Sequence, residues 1–196
     1  MSRPALLPAL AVSLGLATAP ALAQDPVMSS GKTTYPGDLK LGVYPTLDFD
    51  ADEFGASGRV GYGFGRVDAE GRLGVSEGRF VVGAQLDLSL VETPGIAVAV
   101  TLGAHRVQLD RGRDLTGIDA MLAVSTSVSP RTDLYGSVDF DFEYPDGPGE
   151  RFTRAHVVGG VELHLTRGVD FLVELGIATN GRSNHYASAG LSVYVP

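Results

Sequence analysis

Apolar and polar residues alternate along most of the chain, from about Leu39 to Val195. The segment Val169–Asn180 shows the pattern clearly, because its odd-numbered positions from Val169 to Ile177 are all apolar. Asp170, Glu174 and Asn180 fall on the opposite face, together with Gly176 and one apolar residue, Leu172. Successive side chains of a β-strand point to opposite faces of the sheet. The alternation therefore predicts an all-β protein whose strands have one apolar and one polar face.

Ten segments carry this alternation: Asp38–Phe49, Ser57–Phe64, Val67–Val75, Arg79–Glu92, Ile96–Leu109, Leu115–Val128, Asp133–Tyr144, Arg154–Thr166, Val169–Asn180 and His185–Val195. The pattern is weakest in Val67–Val75. Without that segment nine strands remain, which breaks the even count, and a barrel of eight strands is the alternative. Two irregularities are expected, a bulge or unpaired position at Pro45 and a phase slip near His105-Arg106.

The connections between these segments fall into two sets. Short turns at 65–66, 93–95, 130–132 and 167–168 alternate with connections at 50–56, 76–78, 110–114, 145–153 and 181–184, most of which are longer or more charged. Short turns at one end and longer loops at the other are typical of transmembrane β-barrels. We therefore predict one antiparallel up-and-down transmembrane barrel over residues 38–196, with its apolar face toward lipid.

Alternation alone leaves the direction of the two faces open, since a soluble barrel buries the apolar face. The alternative is a soluble periplasmic or secreted β-barrel that binds an apolar ligand. Three features favour the membrane. The apolar faces are almost free of charge, the segments are close to the ~9–11 residues that a tilted spanning strand needs, and aromatic residues gather near strand ends, where interfacial girdles lie.

The N-terminus reads as a secretory signal peptide over residues 1–23. Arg3 supplies the positive charge, Ala5 to Ala19 is mostly apolar, and Ala21-Leu22-Ala23 is a small-x-small cleavage site. We expect cleavage after Ala23, followed by a short periplasmic segment over residues 24–37. The chain has no cysteine, which excludes disulfides and acylation at a mature N-terminal cysteine.

The last ten residues before Pro196 read Tyr-Ala-Ser-Ala-Gly-Leu-Ser-Val-Tyr-Val, and this segment resembles the closing strand of small bacterial outer-membrane β-barrels. The glycine-rich stretch 58–65 is also similar to porin-like members of that family. Val195 takes the place of the usual terminal aromatic residue. The resemblance implies a location in the bacterial outer membrane, contact with its lipid, and recognition of Leu191, Val193 and Val195 by the barrel-assembly machinery.

With the apolar face outward, the polar face forms a lumen. Its predicted charged lining is Asp87, Asp119, Asp139, Asp141, Glu143, Arg154, His156, Glu162, His164, Asp170 and Glu174, with Lys40, Arg59 and Arg72 as further cations. Hairpin geometry predicts three cross-strand pairs: Glu143 with Arg154, Asp141 with His156, and His164 with Asp170. These charges either satisfy one another in a narrow barrel or line a hydrated path that favours cations. Gly and Ala at inward positions such as Gly160 and Gly176 are expected to leave room for water.

The chemistry of the chain predicts no catalysis. Its acidic balance, with 23 Asp and Glu against 15 Lys and Arg, argues against a nucleic-acid partner. Asp141, Glu143 and His156 are the residue types that omptin proteases use at the rim, but no matching motif accompanies them. His156 and His164 are roughly 26 Å apart along a strand and do not share a metal ion. We predict a porin-like barrel without metal or cofactor, structural or passing small polar solutes.

Overall fold

The computed structural model describes residues 31–196, so the predicted signal peptide and residues 24–30 lie outside the described residues. The described chain forms ten antiparallel strands: β1 (Leu39–Asp48), β2 (Glu53–Gly63), β3 (Val67–Ser76), β4 (Arg79–Glu92), β5 (Ile96–Leu109), β6 (Leu115–Ser129), β7 (Thr132–Pro145), β8 (Phe152–Thr166), β9 (Val169–Ala178) and β10 (Tyr186–Val195). Each strand pairs with its neighbours in the chain, and β1 pairs with β10 to close the barrel. The predicted ten-stranded barrel is confirmed, including its weakest segment, and the alternative of eight strands is wrong.

The apolar face of the barrel points outward and the polar face points into the lumen. In β9 the outward Val173, Leu175 and Ile177 are 42%, 54% and 57% exposed, whereas the inward Asp170 and Glu174 are buried. Soluble monomers rarely expose continuous apolar surface on this scale. The arrangement is the reverse of that in a soluble barrel with a buried apolar face.

The two ends of the barrel differ as the sequence predicts. The turns 64–66, 93–95, 130–131 and 167–168 lie at one end, together with the start of β1 and the end of β10, and we call this the turn end. The connections 49–52, 77–78, 110–114, 146–151 and 179–185 lie at the other, which we call the loop end. Aromatic side chains lie on the outer face near both ends: Tyr62, Phe64 and Phe171 at the turn end, and Phe80, Phe142 and Tyr144 at the loop end. This placement matches the interfacial girdles of membrane barrels.

Of the two expected irregularities, the unpaired position at Pro45 is present and the phase slip is not. Pro45 leaves a gap in the pairing of β1 with β10, but the register is the same on both sides of the gap and no bulge forms. The phase slip expected near His105-Arg106 is wrong, because His105 and Val107 both point inward and are buried. Arg106 points outward at the loop end, where it donates to Asp114 and Asp146.

Residues 31–37 cross the turn-end mouth of the barrel. The backbone N–H of Thr34 donates to Asp68 of β3 at 2.5 Å. Lys32 reaches the far side, where its ammonium group donates to Asp133 of β7 and to Ser127 of β6. These contacts hold the segment inside the rim of the barrel. Among residues 31–196, no helix is long and apolar enough to cross a membrane.

Candidate functional site

The charged residues predicted to line the lumen all occupy inward-facing strand positions. Most of these side chains are buried, and His164 is the more accessible exception, with a side chain that is 30% exposed. The inward set is Asp87, Asp119, Asp139, Asp141, Glu143, Arg154, His156, Glu162, His164, Asp170 and Glu174. Alternation puts these residues on the polar face of their strands, and that face is inside because the apolar face points outward.

A buried charge network lies toward the loop end, and we call Arg72, His105, Asp119, Glu143 and Arg154 the upper network. Arg72 donates from Nη2 to Asp119 at 2.6 Å. The ring of His105 joins two carboxylates, with Nδ1 at 2.6 Å from Asp119 and Nε2 at 3.1 Å from Glu143. Arg154 also donates to Glu143. Charges buried in this way persist only when they are paired, so the network ties the walls of the barrel together across the lumen.

Two of the three predicted cross-strand pairs are wrong in register by two residues, although the ion pair between Glu143 and Arg154 forms. Arg154 lies opposite Asp141, and His156 lies opposite Asp139. Arg154 reaches Glu143 along the diagonal instead. A shift of two residues keeps every side chain on the same face, so alternation cannot distinguish the two registers. The third pair is confirmed, with His164 opposite Asp170 and 2.8 Å between His164 Nδ1 and the carboxylate.

His156 is held away from the rim where a protease site would need it. Its side chain is fully buried, and its Nε2 lies 3.0 Å from the backbone oxygen of Asn184. Its ring stacks edge-on against Tyr186 at 5.7 Å. A peptide substrate in water therefore has no access to this imidazole.

A layer of tyrosines lines the lumen at mid-height, and the sequence reasoning missed it. Tyr135 and Tyr186 donate their hydroxyl groups to the two oxygens of Glu174, at 3.0 and 2.8 Å. Tyr44 lies 2.7 Å from Ser192, oxygen to oxygen. These tyrosines are 0–5% exposed. We call Tyr44, Tyr135, Tyr186 and Glu174 the tyrosine layer.

Two glycines beside this layer lie directly against aromatic rings. A Cβ atom on Gly160 would fall on the ring of Tyr135, and one on Gly176 would fall on the ring of Tyr186, both well inside the 3.0 Å that real Cβ atoms respect. The expectation that these two glycines leave room for water is therefore wrong. A signal was present in the sequence, since Tyr135 and Tyr186 stand in the polar phase of their strands.

A cavity of about 810 Å³ opens at the turn end, and we call it the vestibule. Its charged lining consists of Lys32, Asp38, Lys40, Asp68, Asp87, Glu92, Arg131, Glu162, His164, Arg167 and Asp170. Lys40 donates to Glu70 at 3.3 Å, and Arg59 donates to the other oxygen of the same carboxylate at 3.1 Å. Lys40 of the lining is thus tied to a buried carboxylate behind it.

His164 lines the vestibule and contacts two carboxylates. Its Nδ1 is 2.8 Å from Asp170 and its Nε2 is 3.1 Å from Asp133. Asp133 also accepts from Lys32 of the N-terminal segment. Glu162 lies two residues from His164 on the same face of β8. Carboxylates therefore surround this imidazole.

The sequence matches no family profile and no curated protein. The fold is similar to that of solved outer-membrane proteins. An outer-membrane channel from Pseudomonas putida F1 aligns with a TM-score of 0.59 and 11% identity, over 88% of this chain and 100% of that one. The NanC porin aligns with a TM-score of 0.51 and 10% identity, over 79% of this chain and 100% of the porin. The KdgM porin aligns with a TM-score of 0.50 and 6% identity, over 80% and 99%. Identities this low show the fold alone: this chain has the closed antiparallel barrel of the outer-membrane porins and channels.

Proposed function

We propose that the protein is a porin-like barrel of the bacterial outer membrane, which passes small polar solutes, cations foremost, through a narrow acidic lumen and catalyses no reaction. The apolar outer face and the two aromatic bands support the membrane location, and the likeness to outer-membrane channels supports the outer membrane. The observation that carries the proposal is the run of inward carboxylates from the vestibule, through Glu174 at mid-height, to Asp139 and Asp141 near the loop end.

The charge of the vestibule supports a preference for cations. Six carboxylates in its lining face four lysines and arginines and one histidine: Asp38, Asp68, Asp87, Glu92, Glu162 and Asp170 against Lys32, Lys40, Arg131, Arg167 and His164. Rings of carboxylates select for cations, because they lower the electrostatic energy of a positive ion inside the pore. A cation therefore enters this cavity more readily than an anion of the same size.

The tyrosine layer sets the resistance of the path. Ten strands make a barrel only slightly wider than the eight-stranded kind that side chains fill. Tyr44 and Tyr186 are 0% and 1% exposed, so water does not reach their rings at rest. Passage requires the rings of Tyr135 and Tyr186 to turn away from Gly160 and Gly176, and we expect a small conductance with brief openings.

Conductance across a planar lipid bilayer tests the proposal. We expect the native chain to give small, cation-selective currents. Asp139→Asn with Asp141→Asn should lower the cation preference, and Tyr135→Ala should raise the conductance by shortening a side chain of the tyrosine layer. Leu134→Ala is the matched control, since Leu134 is the neighbouring residue on the outer face and is 43% exposed.

Bilayers that show no current with the native chain or with Tyr135→Ala would contradict solute passage. The burial of the tyrosine layer favours a structural barrel as the second candidate, and that result would support it. Fractionation tests the location separately, because recovery of the mature chain in the soluble fraction without detergent would contradict the outer membrane.

The proposal includes one partner, the barrel-assembly machinery, which would recognise the closing strand β10. Leu191, Val193 and Val195 lie on the outer face of β10 and are 47%, 41% and 44% exposed. Alternate apolar residues that point outward on the last strand are accessible to the barrel-assembly machinery before β1 and β10 pair. We propose that these three residues are the feature it recognises.

A further inference from the structure

We propose that the vestibule contains a binding site for a zinc-like divalent metal ion, formed by Glu162, His164 and Asp170. Each residue offers one ligand atom, and the three atoms lie within 4.8 Å of one another. Two carboxylate oxygens and one imidazole nitrogen are ligands that Zn²⁺ accepts at a four-coordinate site with one open position. The imidazole disfavours Mg²⁺ and Ca²⁺, which prefer oxygen ligands alone.

The strands hold these three side chains on one rigid patch of wall. His164 of β8 is paired directly with Asp170 of β9, and Glu162 is the next inward residue along β8. Ligands on hydrogen-bonded strands keep their positions better than ligands on loops do. Binding an ion requires these three atoms, which lie within 4.8 Å of one another, to move closer together.

The vestibule gives an ion both access and room. Glu162, His164 and Asp170 all line the cavity of about 810 Å³. The His164 side chain is 30% exposed, whereas that of Asp170 is 11% exposed. An ion entering from the turn end therefore meets the imidazole first and keeps water on its open side.

A second cluster has similar geometry, but arginines already neutralise its carboxylates. His105, Asp119 and Asp141 also bring their ligand atoms within 4.8 Å of one another. However, Arg72 donates to Asp119 at 2.6 Å, and Arg154 lies opposite Asp141 on the neighbouring strand. Guanidinium groups at this distance already balance the carboxylates and repel a dication. The upper network is therefore held by its own cations.

Lys32, the cation beside the proposed metal site, differs from the arginines of the upper network because no strand carries it. Lys32 contacts Asp133, the carboxylate that lies 3.1 Å from His164 Nε2. Lys32 belongs to the N-terminal segment and not to the wall of the barrel. An ion at the proposed site lies close to this ammonium group and competes with it electrostatically. Removing the charge with Lys32→Met should therefore tighten metal binding several-fold.

Calorimetric titration of the untagged chain, folded in detergent micelles, with Zn²⁺ tests the site. We expect one saturable site per barrel, and no saturable heat with Mg²⁺. His164→Gln and Asp170→Asn should each weaken Zn²⁺ binding by about tenfold or more, since even outer-shell changes cost 10–100-fold. His105→Gln and His185→Gln are matched controls in the upper network and at the loop end, and both should bind as the native chain does.

Native protein that shows no saturable Zn²⁺ binding would overturn the proposal, as would His164→Gln binding with native affinity. Loss of binding in His105→Gln would do the same, because it would move the site to the upper network. Folding of each variant is checked by its heat-dependent shift on a gel. If His164→Gln does not fold, Glu162→Gln and Asp170→Asn decide the matter by the same criterion.

The site is independent of solute passage. Zn²⁺ binding by a barrel that shows no conductance contradicts the proposed function and leaves the metal site standing. Conductance by a barrel that binds no Zn²⁺ supports the proposed function and overturns the metal site.

Discussion

The adjacent glycines of β8 allow a matched test of the tyrosine layer. Gly160 points into the lumen under the ring of Tyr135, and Gly159 points outward with nothing within 4 Å of its would-be Cβ atom. Replacing each by alanine adds the same methyl group at neighbouring positions of one strand. Only Gly160→Ala should force an aromatic ring out of its place.

The expected cost follows from what the ring loses. Overpacking a filled interior costs about 1–3 kcal/mol. Displacing Tyr135 also breaks its hydroxyl contact with Glu174, and a hydrogen bond to a charged group contributes about 1.5–3 kcal/mol. Alanine in a strand recovers about 0.5–1 kcal/mol relative to glycine. Gly160→Ala should therefore destabilise the barrel by about 2–5 kcal/mol, whereas Gly159→Ala should stabilise it slightly.

Urea unfolding of the barrel in lipid vesicles, followed by far-UV circular dichroism, measures the difference. The chain has no tryptophan, so the strand signal is the suitable probe. With an m-value of about 2 kcal/mol/M, the urea midpoint of Gly160→Ala should fall by about 1 M or more. Adding Tyr135→Ala to Gly160→Ala removes the clashing ring, and the two changes should then be strongly non-additive.

Equal midpoints for Gly159→Ala and Gly160→Ala would contradict the contact between Tyr135 and Gly160, because a ring resting on Gly160 could not tolerate the added methyl group. Additive costs for Tyr135→Ala and Gly160→Ala would refute it independently. Either result would restore the interpretation of these inward glycines as open space for water.

Three further predictions test other parts of the barrel. Leu122→Arg places a charge in mid-strand on the lipid face and should cost about 2–4 kcal/mol and block membrane assembly, while Leu122→Ala should assemble, as judged by the folded fraction on a gel. Glu174→Gln turns one acceptor of the tyrosine layer into a donor and should cost about 1–3 kcal/mol in urea unfolding, with the exposed Glu77→Gln unchanged. Val193→Asp should slow assembly by purified machinery in liposomes far more than Ser192→Asp does at the inward neighbour, and equal rates would argue against recognition of the apolar face of β10.

Alternation was sufficient to predict the strands, but the direction of their faces needed the charge-free apolar faces, the strand lengths and the aromatic residues near strand ends as well. It identified β3 even though that segment carries Asp68, Glu70 and Arg72, because those charges all keep one phase and Leu73 and Val75 keep the other. The two-residue period is a local property of the strand, so one sequence contains it. The ends of the strands were less certain, and β2 begins four residues before the predicted Ser57 because the first connection is tighter than expected.

Register is not a local property, and the errors in the site come from it. Shifting β7 against β8 by two residues changes every pair but leaves each side chain on its own face. For the same reason the sequence could not show that Gly160 lies beside Tyr135, since the contact joins two strands. The predicted phase slip near His105-Arg106 hid the inward position of His105, because an arginine at position 106 interrupts the apolar phase of β5. An outward arginine at the loop end, with Asp114 and Asp146 in reach, needs no phase slip.

Spin labels on single cysteines report whether the apolar face meets lipid and the polar face encloses the lumen. The chain has no native cysteine, so single cysteines can be placed along β6 without background. Leu122→Cys and Val124→Cys lie on the outer face, and Ser125→Cys and Ser127→Cys lie on the inner face. In lipid vesicles, labels at 122 and 124 should collide with dissolved oxygen and be shielded from a water-soluble nickel reagent, and labels at 125 and 127 should show low oxygen collision. Oxygen collision at 125 and 127 with nickel access at 122 and 124 would contradict this orientation of the faces.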